Sequence, residues 1–294
     1  MEFFAILDAQ YANRILKFNL DGAAQQKLTD IFLECYQGFQ TYSDIINFNP
    51  DEELKKTECF FIDNFESGLD FTLVKQNPEA VSELIIGSNA ELQHIIAVFT
   101  VHEDKLLIQN FNRRNIIDLQ KSFWLNPFTP NNQFVAAKAN GFSLDNKLIA
   151  IIEPDNKILF RSFNTLRHIF DMDIYFKEAT DSEVKAFIGN TLCFETDENM
   201  NLIEIADTVV RTKITVINKS NILNNYSVNE LKEAADSINY PLNLNGSQDK
   251  ISIPNNKKQL KELLQFLSLN IYKDPITTQT RIAKSSRLYT PPTQ

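Results

Sequence analysis

Lysine and arginine side chains gather towards the end of the sequence, and their type suits contact with phosphate groups. Residues 204–294 hold 12 basic and 8 acidic residues, whereas residues 1–203 hold 17 basic and 30 acidic residues. A localised excess of cations on an otherwise acidic chain is typical of an anion-binding surface. The candidate DNA-binding residues are Lys257, Lys258, Lys261, Lys273, Arg281, Lys284 and Arg287.

Hydroxyl side chains that can donate hydrogen bonds to phosphate oxygens lie among these cations, namely Tyr272, Thr277, Thr278, Ser285 and Ser286. Such a mixture suits contact with the DNA backbone, and nothing in it encodes the reading of bases. The sequence therefore predicts DNA binding that is independent of base sequence and is weakened by salt. A solvated basic surface without a ligand is the alternative reading of the same charges.

A second constellation, Asp155 followed by Glu183 and Lys185, superficially matches the Asp…Glu-x-Lys pattern of a large nuclease superfamily. In such enzymes two carboxylates hold a divalent metal ion and the lysine polarises the attacked phosphate. The sequence context argues against this role, because Asp155 falls in a predicted hairpin turn and Glu183 at a predicted helix start. We therefore favour a protein without catalytic activity and keep a metal-dependent nuclease as the alternative.

Other catalytic and metal-binding patterns are sparse in the sequence. The three histidines, His94, His102 and His168, have no complete ligand spacing around them, and the three cysteines are far apart. The seven glycines form neither a phosphate-binding loop nor a dinucleotide-binding fingerprint. We therefore expect no catalytic residue, no metal site and no cofactor.

The β-rich segments that precede the basic region predict its scaffold. Residues 95–101 and 105–111, and residues 147–152 and 157–163, form two pairs of apolar runs separated by turn residues, as in β-hairpins. Together with residues 134–137 and 141–144 they predict a largely antiparallel central sheet of five or six strands. Residues 3–7 and 15–20 suit strands, and the apolar spacing over residues 23–40 predicts a helix that packs on the sheet.

Helices with recognisable starts follow this sheet. Thr180 with Glu183, and Ser227 with Glu230, fit the capping-box pattern. Residues 256–269 place four leucines on one helical face and three lysines towards the other. Residues 208–217 suit a strand by composition and a helix by position, and we favour the helix. The fold class is α+β, with flanking helices around the central sheet. We expect a β-rich body over residues 1–200 and a helical C-terminal region over residues 201–294, with a small hairpin around residues 245–247 and a basic tail.

Composition indicates an ordered protein of the cytoplasm. Hydrophobic residues make up 43% of the 294 residues and charged residues 23%, which are proportions typical of globular proteins. No window reaches the roughly 18 uninterrupted apolar residues that a membrane span requires. Three widely spaced cysteines offer no disulfide framework, which favours a reducing compartment.

Several segments resemble the bacterial KwaB family, the soluble component of the Kiwa anti-phage defence system. The similar segments are residues 95–111, 141–148, 158–163, 175–180, 257–264 and 283–287. The resemblance implies a DNA-binding protein that forms a homodimer or higher homo-oligomer and works with a small, multi-spanning membrane protein similar to KwaA. It offers no catalytic residue to carry over.

Charge pattern and resemblance together predict a non-catalytic, sequence-independent DNA-binding effector of anti-phage defence. We expect it in the cytoplasm, recruited to the inner face of the membrane by its partner. The alternatives are the metal-dependent nuclease and an acidic protein–protein adaptor that binds no nucleic acid.

Overall fold

The fold is taken from a computed structural model. The structure describes residues 1–86, 92–117, 125–126, 135–136, 141–195 and 202–283. The chain divides into two compact units, the first formed by Met1–Phe48 and Leu54–Asp173 and the second by Asn49–Glu53 and Ile174–Gln294. The division that the sequence predicts between residues 200 and 201 lies outside the described residues.

The described strands and helices give an α+β fold. The strands are β1 (Phe3–Leu7), β2 (Ile15–Lys17), β3 (Asp44–Asn47), β4 (Glu58–Ile62), β5 (Ile95–His102), β6 (Lys105–Asn110), β7 (Ile116–Ile117), β8 (Leu125–Asn126), β9 (Val135–Ala136), β10 (Gly141–Phe142), β11 (Ala150–Ile152), β12 (Ile158–Phe160), β13 (Phe194–Glu195), β14 (Ile251–Ser252), β15 (Ile271–Lys273) and β16 (Thr280–Ile282). The α-helices are α1 (Gly22–Gln40), α2 (Thr72–Gln76), α3 (Phe163–Leu166), α4 (Asp181–Ile188), α5 (Leu202–Ile205), α6 (Thr208–Ser220), α7 (Ile222–Asn225), α8 (Val228–Ser237) and α9 (Lys257–Leu267). Short 3₁₀ turns cover Pro78–Ala80 and Arg113–Asn115.

An eight-stranded sheet in the order β2-β1-β5-β6-β11-β12-β4-β3 forms the centre of the first unit. Its neighbouring strands are antiparallel except for β3 and β4, which run parallel. The predicted antiparallel character is therefore confirmed. Both predicted hairpins are present: Glu103 and Asp104, with positive φ, turn β5 into β6, and Asn156, with φ 60°, lies in the turn from β11 to β12.

The prediction that residues 134–137 and 141–144 add strands to this sheet was wrong for the part of these segments that the structure describes. β9 pairs with β8, and β10 pairs with β7, each in a separate two-stranded sheet. Residues 134 and 137 lie outside the described residues. The central sheet is completed instead by strands from the first 62 residues, because β1 pairs with β5 and β4 pairs with β12 across long stretches of chain. Such non-local pairing has no local sequence signal.

The long helix α1 covers part of one face of this sheet. Asp21 caps it by accepting a hydrogen bond from the Ala24 backbone N–H at 2.7 Å. Phe32 and Phe39 are buried, and the Phe32 ring meets that of Phe3 edge to face at a centroid distance of 5.2 Å. The predicted apolar stripe therefore packs on the sheet as expected from its three- and four-residue spacing.

The second unit is helical, with the predicted starts in place. Both capping boxes are complete, at Thr180 with Glu183 and at Ser227 with Glu230. The ambiguous segment after residue 207 forms helix α6, which ends at Asn221 in the left-handed conformation. The predicted hairpin around residues 245–247 is reduced to one antiparallel bridge, and β14 pairs in parallel with β13. Helix α9 buries its leucine face in a core that also contains α6 side chains.

A buried charge lies within this second unit. The Lys213 ammonium is 2.6 Å from an Asp51 carboxylate oxygen, and their side chains are only 11% and 9% exposed. Lys213 also donates to Ser268 Oγ at 3.1 Å and to Asn270 Oδ1 at 2.9 Å. The ammonium therefore has a full set of acceptors, as a buried charge requires.

We predict that breaking this pair is costly while removing both charges is not. Lys213→Met alone should lower the free energy of unfolding in urea by about 3–5 kcal/mol, because it strands the buried Asp51 carboxylate. Adding Asp51→Leu should recover most of that loss. Lys219→Met, on the exposed end of the same helix, is the control and should change the free energy of unfolding by less than about 1 kcal/mol. Equal effects of both lysine substitutions would contradict the prediction.

Candidate functional site

Helix α9 carries three of the candidate DNA-binding lysines on its polar side. Asn256 starts the helix, since its Oδ1 accepts from the Lys258 backbone N–H at 2.8 Å. The leucines at positions 260, 263, 264 and 267 are buried, and the lysines lie outside this buried face: Lys257 and Lys258 are exposed and Lys261 is partly exposed. Lys257 and Lys261, four residues apart, are neighbours one turn along that side.

One carboxylate serves both of these lysines. The Asp207 Oδ2 atom is 3.0 Å from Lys257 Nζ and 2.7 Å from Lys261 Nζ. Its other oxygen, Oδ1, accepts a hydrogen bond from the Val210 backbone N–H at 3.1 Å and thereby caps helix α6. Asp207 therefore joins the start of α6 to the polar side of α9.

The pKa of Asp207 is lowered well below its usual range by this environment. Partial burial acts in the opposite direction and would raise the pKa, but hydrogen bonds from Lys261, the Val210 N–H and Lys257 outweigh it. The carboxylate consequently stays ionised throughout the neutral and mildly acidic range. Two lysine charges thus share one negative charge.

The third lysine of the helix is placed differently. Lys258 is exposed, and in the part of the chain that the structure describes its ammonium has no ion-pair partner. The three lysines of α9 are thus set against two carboxylates, that of Asp207 and that of Glu262 on the helix itself. This local excess is the arrangement that an anionic ligand needs.

The hairpin of β15 and β16 carries two further candidates. Lys273 Nζ donates to the Ser237 carbonyl oxygen at 3.4 Å, which leaves its charge without a carboxylate among the described residues. Arg281 Nε is 3.5 Å from the Asp274 Oδ2 atom. The structure thus groups the described candidates on two elements, α9 and this hairpin. Lys284 and Arg287 lie outside the described residues.

Sequence reasoning missed the two carboxylates that accompany these cations. Asp207 directly precedes a predicted helix, so its role as an N-cap was detectable from sequence. Its pairing with lysines fifty residues later was not detectable, because it depends on how α6 packs against α9. Asp274 directly follows the candidate Lys273 in the sequence, but its ion pair with Arg281 depends on the pairing of β15 with β16.

The residues of the nuclease alternative have other structural roles. Asp155 lies in the turn between β11 and β12, where its Oδ1 accepts from the Lys157 N–H at 3.2 Å. The Glu183 carboxylate accepts from the Thr180 N–H at 2.7 Å and from its hydroxyl at 2.8 Å, and these bonds lower the pKa of Glu183. Lys185 lies in α4. Asp155 belongs to the first unit, and Glu183 and Lys185 belong to the second.

Other reactive groups are isolated or buried. His94 Nδ1 is 2.9 Å from Asp8 Oδ2 in the first unit, and no group of three or more potential metal ligands exists among the described residues. The thiols of Cys35, Cys59 and Cys193 are buried, and burial raises the pKa of each. A thiol with a raised pKa is a poor nucleophile at neutral pH.

Comparison with known proteins adds no relative: no family model, no curated protein and no solved structure matches the chain. The resemblance to the KwaB family therefore stays a prediction from the sequence. Over the described ranges, none of the helices combines the length and the apolar character needed to cross a bilayer.

The lowered pKa of Asp207 predicts how stability responds to acid. Its ordinary pKa is 3.8 and its folded pKa is lower, so the unfolded chain binds more protons below about pH 4. The stabilisation from Asp207 is present above that pH and is lost as pH falls towards the folded pKa. Asp207→Asn keeps an N-cap acceptor but cannot titrate. Urea unfolding should show a smaller loss of stability between about pH 4 and 2 for this variant; identical slopes would contradict the prediction.

Proposed function

We propose that the chain is a non-catalytic protein that binds the DNA backbone independently of base sequence. The observation that carries the proposal is the charge on α9, where Lys257 and Lys261 share the Asp207 carboxylate, exposed Lys258 has no ion-pair partner among the described residues, and Glu262 is the one acidic residue of the helix. Phosphates recognise such an excess by charge, and binding gains from the release of condensed counterions. Lys273 and Arg281 on the hairpin add to the same interaction.

The ion pairs of Lys257 and Lys261 do not prevent phosphate binding. The side chains of Asp207 and Lys261 are about one third exposed and that of Lys257 is half exposed, so a phosphate can approach both ammonium groups from solvent. One carboxylate also cannot neutralise two lysines. Lysine binds phosphate as a point charge, whereas bidentate arginine is the common reader of guanine, so α9 suits backbone contact rather than base recognition.

The proposed biological role is that of an effector in bacterial anti-phage defence. Its support is the resemblance of the quoted segments to the KwaB family. On that basis the chain self-associates into a homodimer or higher homo-oligomer in the cytoplasm. A small, multi-spanning membrane protein similar to KwaA recruits it to the inner face of the membrane, where it engages DNA.

We predict that reversing one exposed charge on α9 weakens DNA binding. Lys258→Glu should raise the Kd for a 30-base-pair duplex about tenfold at low salt, as measured by fluorescence anisotropy. It should also make the plot of log K against log salt shallower by about one unit, because one phosphate contact is lost. Lys27→Glu, an exposed lysine on α1, changes the net charge equally and should leave both quantities nearly unchanged.

The same assay separates the rival functions. Equal effects of the two reversals, or absence of binding by the unaltered chain at low salt, would favour an acidic adaptor that binds only protein. Incubation of the duplex with Mg²⁺ or Mn²⁺ tests the nuclease. Cleavage that Asp155→Ala abolishes would overturn the proposal of a non-catalytic protein.

A second variant is expected to act in the opposite direction. Asp207→Asn removes the carboxylate that competes with phosphate for Lys257 and Lys261 while keeping the cap of α6. DNA affinity should rise about threefold or more, and the salt dependence should become steeper by about one unit. Asp236→Asn, which removes the partner of Lys232 on α8, is the matched control. Unchanged affinity for Asp207→Asn would show that these lysines do not contact DNA.

A further inference from the structure

The hairpin of β15 and β16 ends in an exposed aliphatic side chain. Ile276 lies in the connection between the two strands and is 90% exposed. Tyr272 on β15 and Ile282 on β16 are also largely exposed, at 42% and 58%. The hairpin thus carries three exposed large hydrophobic side chains, and exposed apolar surface concentrated on one element is a feature of surfaces that engage a partner.

The connection that presents Ile276 is firmly built. Asp274 Oδ1 accepts from the backbone N–H groups of Ile276 at 2.9 Å and Thr277 at 2.8 Å. The Thr278 N–H donates to the Asp274 carbonyl oxygen at 2.8 Å, and Thr278 itself has a φ of 57°. These bonds fix the backbone on both sides of Ile276. The side chain is therefore held outwards rather than tucked against the hairpin.

The base of the hairpin is equally well anchored within the second unit. The Ala283 N–H donates to the Asn270 carbonyl oxygen at 2.7 Å, and Thr280 Oγ1 donates to the Ile238 carbonyl oxygen at 2.5 Å. Asn270 is buried and its side chain accepts from Lys213. A ribbon that is fixed at its base and at its turn holds the side chain at its tip in a defined position against a ligand.

Charge along the ribbon favours a polyanionic partner. Lys273 lies beside the turn on β15, and Arg281 stands opposite Tyr272 on β16. The Asp274 carboxylate accepts hydrogen bonds from the turn and lies 3.5 Å from Arg281 Nε. Two-stranded ribbons fit DNA grooves, and proteins that bend DNA insert apolar side chains between base pairs while cations hold the flanking phosphates.

We propose that this hairpin enters a groove of duplex DNA and that Ile276 inserts between adjacent base pairs, so that the protein bends the DNA it binds. The inference rests on the proposed function, because it requires that the chain bind DNA. Insertion needs no base-specific contact and is therefore compatible with sequence-independent binding. It assigns the hairpin a role separate from that of α9, which holds the backbone.

The test compares two 30-base-pair duplexes, one fully paired and one carrying a two-adenine bulge that already bends it. The bulge already disrupts the stacking of neighbouring base pairs, so inserting Ile276 costs less deformation energy there. The unaltered chain should therefore bind the bulged duplex about tenfold more tightly. Ile276→Ser should lose most of this preference. Leu192→Ser, which alters another side chain of the second unit that is 85% exposed, should keep it. Energy transfer between dyes on the duplex ends should report bending by the unaltered chain and by Leu192→Ser only.

The outcomes separate this inference from the proposed function. The unaltered chain could bind both duplexes equally, or Ile276→Ser could bend DNA as well as the unaltered chain does. Either result would overturn the insertion of Ile276 between base pairs, while DNA binding through α9 would stand. If neither duplex is bound at low salt, the proposed function itself fails. If Ile276→Ser instead reduces binding to vesicles of anionic lipid without affecting DNA bending, the exposed tip serves a membrane surface and the inference is overturned.

Discussion

The position of the α9 lysines depends on one carboxylate, that of Asp207. One of its oxygens caps helix α6, and the other contacts Lys257 and Lys261. A structural need at the start of a helix thus also sets the charge of a neighbouring surface. Any ligand that binds α9 must compete with this carboxylate, whose lowered pKa keeps it ionised at neutral pH.

The local ratio of lysines to carboxylates on α9, rather than the net charge of the chain, supports a role in phosphate binding. The chain has a formal net charge of −9, which would repel DNA if the charges were spread evenly. On α9 three lysines are set against two carboxylates, Asp207 and Glu262, so the local balance is positive over distances shorter than the screening length of about 8–10 Å. An acidic chain can therefore bind a polyanion through a restricted surface while its remaining surface limits other contacts with DNA.

Buried polar groups hold the hairpin to the rest of the second unit. Lys213 reaches Asp51, Ser268 and Asn270, and Asn270 in turn bonds with Ala283 at the end of β16. An apolar core alone would leave the angle of a short two-stranded ribbon loosely defined, since hydrophobic contacts are not directional. Hydrogen bonds to a buried charge are directional, and they fix where the ribbon leaves the unit.

Local sequence determined much of this protein: the two capping boxes, the turns of the β5–β6 and β11–β12 hairpins, the apolar stripe of α1 and the leucine face of α9. Each depends on residues within a few positions of one another, where spacing fixes geometry. Tertiary structure alone decided the pairing of β1 with β5 and β4 with β12, the pairing of β9 and β10 outside the central sheet, and the meeting of Asp207 with Lys257 and Lys261. Those contacts join residues far apart in the chain, and their free energy comes from packing whole elements together, which no short pattern of residues records.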